Sequence, residues 1–177
     1  KDFNFKMQDD KLTNFIHKQS IALLRGIYFG THDTAKWINP LPGLHRARIK
    51  LQQLMLAKTV GFNVPKTLIT NDPNEVINFI ETIQQISTKS LDEPNYQTDN
   101  YVFPLFNRRL KKDFIEQNKE NISICPTLFQ EYIEKKSDIR VVVIGEKIFA
   151  FEIHSQENKL SIEDFRGVSP SKLKHEL

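Results

Sequence analysis

The order of elements in this sequence predicts a mixed α/β or α+β fold. Three observations carry that prediction. Leu44, Ala47, Leu51, Leu54, Met55 and Val60 recur at three-to-four spacing, the mark of an amphipathic helix. Short apolar runs bounded by turn residues alternate with a second helical stripe, Val76, Ile77, Phe79, Ile80 and Ile83. Two β-rich runs, DIRVVVI and KIFAFEIH, flank Gly145-Glu146 and read as an antiparallel hairpin over Asp138–His154.

Composition sets the bounds. The 177 residues suffice for one ordinary domain or two small lobes. With 39% hydrophobic and 27% charged residues, the chain has a globular balance rather than that of a disordered one. One cysteine, Cys125, excludes an internal disulfide framework and any multi-cysteine zinc or iron–sulfur site. No run of 18 apolar residues is present, which argues against a membrane span. The net charge of +3 gives no reason to invoke nucleic acid or an anionic membrane as partner. The polar start KDFNFKMQDDKL is unlike a signal peptide, so the cytoplasm is the expected location.

Taken in order, Ser20–Phe29 (SIALLRGIYF) reads as a buried strand interrupted by Arg25 and Gly26, and Gly30–Pro42 as a loop. The Leu44–Val60 helix ends at Gly61, a residue suited to a left-handed cap. Residues 62–70 follow as a strand, with Pro65 near its start. Asp72 is placed to cap the next helix, Pro73 to take its first position, and Glu75 to complete a capping box. Gln85–Leu91 is a short strand carrying Lys89. Asp92–Asn100 reads as a loop, Tyr101–Phe106 as an apolar run, and Leu110–Asn118 as a helix. In the hairpin, glycine at the first turn position is the type II′ signature.

Phe129–Arg140 (FQEYIEKKSDIR) is a buried-looking strand end followed by a charged loop. A strand end with freed backbone groups can pair with an adenine edge, and a carboxylate a few residues on can hold ribose hydroxyls. On charge pattern alone, an edge strand followed by a solvated charge cluster is the favoured reading, since charge runs usually lie at the surface. His17, His32, His45, His154 and His175 show no metal-ligand spacing. Cys125 reads as a small buried hydrophobe. Arg108–Lys112 is a basic cluster, either a solvated helix face or a contact for an acidic peptide.

At QEYIEKKSDIRVVVIGEKIFAFEI, followed by Asp164-Phe165-Arg166, the sequence resembles the ATP-grasp ligases. It is most similar to the branch holding the ribosomal-protein glutamate ligases and the maturases of microviridin-type peptides (graspetides). Lys50, the run GFNVPKTLITNDP (61–73) and the Trp37-Ile38-Asn39-Pro40 loop fit the same branch, so the resemblance spans roughly residues 37–166. The stretch after Lys89, SLDEPNYQTDN, lacks the glycine-rich loop of many ATP-grasp enzymes, as members of the maturase branch often do.

The resemblance implies an ATP-grasp fold with nucleotide held between two lobes. It implies a partial N-terminal lobe at residues 1–42, a small ATP-grasp lobe with Lys89 at 43–122, and the start of the C-terminal lobe, with hinge and hairpin, at 123–177. Gln130, Glu131, Tyr132 and Ile133 match the hinge that meets adenine. Asp138 matches the ribose-contacting acid, Lys89 and Lys50 the phosphate-contacting lysines, and Arg166 the catalytic arginine facing the phosphates and the acyl phosphate. Cofactors would be ATP and Mg2+. The magnesium carboxylates are expected downstream of Leu177, so no residue here is assigned as a metal ligand and the chain is expected to be incomplete. The implied activity is an ATP-dependent carboxylate–amine or carboxylate–hydroxyl ligase that forms side-chain esters or amides in a precursor peptide with a leader and an acidic core. Homodimer formation is left open. A glutamate or amino-acid ligase of the same superfamily, or a non-catalytic nucleotide- or peptide-binding module, are the alternatives.

Overall fold

The computed structural model describes residues 10–92, 95–98 and 101–176. Its contacts divide the chain into two units, Lys1–Arg48 and Ile49–Leu177.

The first unit holds α1 (Asp10–Thr31) and α2 (Leu41–Arg48). The strand expected at Ser20–Phe29 is instead the second half of α1. A short apolar run does not separate strand from helix by itself. Here Ile16, Ile21, Leu24 and Tyr28 continue one helical period begun ten residues earlier. Ser20 and Thr31 confirm the backbone by donating their hydroxyls to the carbonyls four residues back, Ile16 and Ile27, at 2.9 and 2.7 Å. Tyr28 is buried, its ring edge-on to Trp37 with centroids 4.8 Å apart.

The second unit opens with α3 (Lys50–Thr59). The single helix expected over Leu44–Val60 is therefore two, broken where Ile49 takes an extended ψ of 104°. Gly61 then adopts φ +90°, as its cap position requires. Next come β1 (Thr67–Thr70), α4 (Pro73–Ile83) and β2 (Ile86–Lys89). Asp72 caps α4 by accepting the Asn74 amide at 2.8 Å. Glu75 does not close the box directly: it accepts the Thr70 hydroxyl, whose oxygen in turn accepts the Asp72 amide at 3.0 Å. A relay through Thr70 thus satisfies the same orphan donor.

Within the expected 92–100 loop and the run after it, β3 (Asn95–Gln97) and β4 (Val102–Pro104) pair as a two-stranded ribbon. Glu93, Pro94, Asp99 and Asn100 of that expectation, like residues 1–9 and Leu177, lie outside the described residues. The basic cluster is not a helix face. Arg108–Leu110 forms β5, and α5 (Lys112–Gln117) starts only after it. Next come α6 (Lys119–Ser123) and β6 (Thr127–Glu131). Cys125, between them, is exposed rather than buried.

One four-stranded sheet, in the order β1-β6-β2-β5, is antiparallel at every pairing. Because side chains alternate, each strand gives one set to each face. On one face Ile86, Leu110 and Phe129 meet Val76 and Ile80 of α4 and Ile115 of α5, all buried. Burying a side chain the size of Phe129 stabilises the fold by about 1.5–3 kcal/mol. The other face carries the site.

A second sheet contains β7 (Asp138–Ile144), β8 (Lys147–Ile153) and the short β9 (His175–Glu176). The hairpin register, Ile144 opposite Lys147, leaves Gly145-Glu146 as a two-residue turn. Gly145 has φ +60°, while Gln84 is the only non-glycine with positive φ among the described residues, so the turn is the expected type II′. Ile153, Val168 and Leu173 form a second small core under this sheet.

Candidate nucleotide-binding site

The site grows from the register of the four-stranded sheet. Thr67 pairs with Gln130, Gln130 with Ser87, and Ser87 with Arg109. These four residues make one row across the sheet, on the face opposite the core. Lys89, two residues after Ser87, shares that face. Its ammonium donates to Gln130 Oε1 at 3.3 Å, while Gln130 Nε2 donates to Thr67 Oγ1 at 2.9 Å. A buried glutamine thus spends both ends of its amide fixing the lysine to the strands beneath it.

Past Glu131 the chain leaves the sheet. The Glu131 amide donates to the Lys66 carbonyl at 2.8 Å and the Tyr132 amide to the Gln85 carbonyl at 2.9 Å. Two of the hinge amides are therefore taken by the protein, and Ile133 is the first hinge residue beyond those bonds. The Tyr132 ring is covered by the Arg109 guanidinium, 4.5 Å from its centroid, and Arg109 also donates to Gln85 Oε1 at 3.0 Å.

The charged loop after the hinge turns back on the site. Lys135 Nζ donates to Asp138 Oδ1 and Oδ2 at 3.0 and 2.7 Å, and both side chains are about three-quarters shielded from solvent. Lys50, at the start of α3, donates to the carbonyls of Leu91 and Asp92 at 3.0 and 3.2 Å, tying that helix to the segment after Lys89. Arg166 sits in a 3-10 turn, Phe165–Gly167, and is gripped by Asp164 through Nε at 2.8 Å and through Nη2.

A cavity of about 190 Å³ lies among these groups, lined by Pro65, Ser87, Lys89, Asn107, Gln130, Glu131, Tyr132, Ile133, Lys135, Asp138 and Glu163. Six of the eight residues singled out in the sequence line it: Lys89, Gln130, Glu131, Tyr132, Ile133 and Asp138. Lys50 and Arg166 do not. A wider hollow of about 840 Å³ adjoins it, because Lys89, Asn107 and Glu163 border both.

Electrostatics single out Lys89. Burial pushes its pKa below the ordinary lysine value. The Asp164 carboxylate opposes that shift, and the charges of Lys135, Arg166 and Lys50 add to it. Lys50 and Arg166, outside the small cavity, still act on its centre. Four cations around one half-buried point are unfavourable unless a polyanion joins them. The residues thus fit a nucleotide's phosphates at Lys89 and its base at the hinge. The carboxylates bordering the small cavity do not fit a magnesium site in the same way. Asp138 is paired with Lys135, and Glu163 accepts the Arg109 amide at 3.2 Å.

Sequence reading missed Arg109, Asn107, Lys135 and Asp164 as parts of the site. The β5 register brings Arg109 in, and no periodic pattern announces a three-residue strand. It also missed that β8–β9 pairing draws Glu152, His154 and Glu176 to within 4.8 Å of one another, with Lys174 on the Glu176 carboxylate.

No helix among the described residues is long and apolar enough to cross a membrane. No curated protein matches the chain. Solved structures do. A RiPP-associated ATP-grasp ligase from Chryseobacterium gregarium, in complex with ADP and a leader and core peptide, is 28% identical with a TM-score of 0.75, covering 90% of this chain and 47% of that one. The macrocyclase MdnC from Microcystis aeruginosa MRC, bound with the precursor peptide MdnA, is 27% identical with a TM-score of 0.77, covering 87% and 50%. The macrocyclase MdnB from the same organism is 28% identical with a TM-score of 0.66, covering 85% and 49%. The chain thus spans about half the length of these structures. The family model of the RimK-like ATP-grasp domain matches residues 46–174, well over half of the chain. The mixed α/β chain described here belongs to the RimK-like ATP-grasp domain family.

Proposed function

We propose that this chain carries the nucleotide-binding part of an ATP-dependent ligase that crosslinks side chains of a ribosomally made precursor peptide. The carrying observation is a cavity lined by Lys89 and Lys135 that ends at the Glu131–Ile133 hinge, with Lys50 and Arg166 outside it but close enough for their charges to act on Lys89. The likeness to peptide-bound ATP-grasp ligases supports the choice of a peptide over a free amino acid. The precursor carries a leader and an acidic core, and the setting is the cytoplasm.

In this reading adenine lies against Tyr132 and Ile133, the ribose against Asp138, and the phosphates against Lys89 with Lys50 behind. The γ-phosphoryl group passes from ATP to a carboxylate oxygen of an Asp or Glu side chain, giving an acyl phosphate and ADP. A Ser or Thr hydroxyl or a Lys amine then attacks the acyl carbon. It loses its proton, and phosphate leaves with the C–O bond that breaks. Charge on the transferring group is stabilised by Lys89 and by Arg166, whose fork suits phosphate oxygens. Such a site works by positioning and electrostatics. Magnesium would add further neutralisation of the phosphates, with none of the carboxylates bordering the small cavity assigned to hold it.

The test incubates the protein with ATP, Mg2+ and a Thr- and Glu-containing precursor peptide and weighs the product. The reading predicts the loss of one water per linkage with matching ADP release. ADP release with free glutamate or another amino acid, and none with peptide, would favour the amino-acid ligase. Nucleotide or peptide binding without ADP release would leave a binding module.

A further inference from the structure

We propose that Asp164 is the positioning residue that aims Arg166, acting with the Phe106–Asn107 segment; this rests on the ligase reading for what Arg166 faces. Asp164 is 9% exposed, whereas the Arg166 side chain it holds is 48% exposed. A buried anion holding an exposed cation fixes the cation rather than the reverse.

The bonding is specific. Asp164 Oδ1 accepts the Arg166 amide at 3.1 Å and Arg166 Nε at 2.8 Å, and Oδ2 accepts Arg166 Nη2 and the Asn107 amide, the last at 2.9 Å. One carboxylate therefore ties the 3-10 turn to the residue just before β5. Its grip is side-on, through Nε and Nη2. A guanidinium has five N–H donors, so a side-on partner leaves the end-on edge, Nη1 with the outer hydrogen of Nη2, for a second two-point acceptor such as a phosphate.

The Phe106 ring, 5.9 Å from the guanidinium carbon, borders the same group. The turn has no slack behind it, because a Cβ at Gly167 would collide with the Leu160 carbonyl oxygen. Burial by itself would raise the Asp164 pKa, but the bonds from Arg166 and the Asn107 amide outweigh it and hold the carboxyl below its ordinary value. Asp164 is thus a carboxylate at every pH where such a ligase would work.

Two readouts test this. The first is the Nε–H resonance of Arg166 in the 15N spectrum. It is expected to be shielded from solvent exchange in the wild-type protein and to lose that protection in Asp164→Asn. The second is a double-mutant cycle on ATP-dependent turnover. Asp164→Asn is expected to lower kcat by about 10²-fold, the cost of a small misplacement, with the KM for ATP little changed. In an Arg166→Ala background it should cost nothing further. Unchanged Nε–H protection in Asp164→Asn overturns the proposal, and so does a loss that multiplies with that of Arg166→Ala. If Asp164→Asn fails to fold, Asp164→Glu keeps the charge but shifts the fork by one methylene, and the same two outcomes are read from it. If Arg166→Ala turns over like the wild type, the ligase role of Arg166 fails, while the Nε–H measurement still decides Asp164.

Discussion

The two faces of the four-stranded sheet are built from alternate residues of the same strands, and they obey opposite rules. On the helix-covered face, Ile86, Leu110 and Phe129 are buried among apolar neighbours. One residue away in each strand lie Ser87, Arg109 and Gln130 on the opposite face, where Ser87 and Gln130 line a polar cavity and Arg109 covers the Tyr132 ring beside it. The first face stabilises the fold by removing apolar surface from water. The second holds a half-buried lysine whose charge is disfavoured there. A sheet only three to five residues long per strand therefore separates stability from function by a single step of register. Slipping that register by one residue would exchange the faces.

That contrast can be broken from the core side first. Phe129→Ala is expected to cost about 3–5 kcal/mol of stability, the range for emptying a buried aromatic site. Denaturant unfolding measures it, and a cost below 1 kcal/mol would mean that this face is not the core. At the rim of the other face, Asp138→Ala should weaken nucleotide binding about tenfold, near 1.4 kcal/mol. Titration calorimetry beside a thermal melt separates this from the rival account, in which Asp138 only neutralises Lys135. A lower midpoint with unchanged affinity sides with the rival. The smallest effect lies away from both faces. Asp72→Ala removes the cap of α4 and should cost about 1 kcal/mol without touching nucleotide affinity.

Much of this contrast is visible in the sequence, and the exceptions share one physical cause. The α4 stripe, its Asp72-Pro73 start and the Gly145 hairpin are local signals, fixed by periodicity and turn chemistry over a few residues. The hinge and Lys89 are marked by a family resemblance, and in the structure they line one cavity. Arg109 and Asn107 carry no such mark, and Asp164 carries it only as part of the Asp164-Phe165-Arg166 motif, because the contacts they make span long sequence separations. Asn107 and Asp164 are 57 residues apart. The α1 error has a different origin. Ser20–Phe29 is apolar enough for a strand when cut out, and only the continuation through Ile16 restores the helical period.

The central claim is that the polar face exists to hold phosphates rather than to stabilise the sheet. Lys89→Met tests it most directly, with ATP affinity and thermal midpoint measured on the same protein. Removing a cation from the phosphates should cut affinity or turnover by about 10²–10³-fold. The midpoint should stay level or rise. A lysine whose folded-state pKa is lowered costs stability while it is charged. That cost is present at neutral pH and disappears as pH rises through the lowered value toward about 10.4, where the unfolded lysine also loses its proton. The stability gain of Lys89→Met should therefore be seen at pH 7 and shrink in alkali. Unchanged ATP affinity together with a lowered midpoint would contradict the account and make Lys89 a structural residue of the sheet.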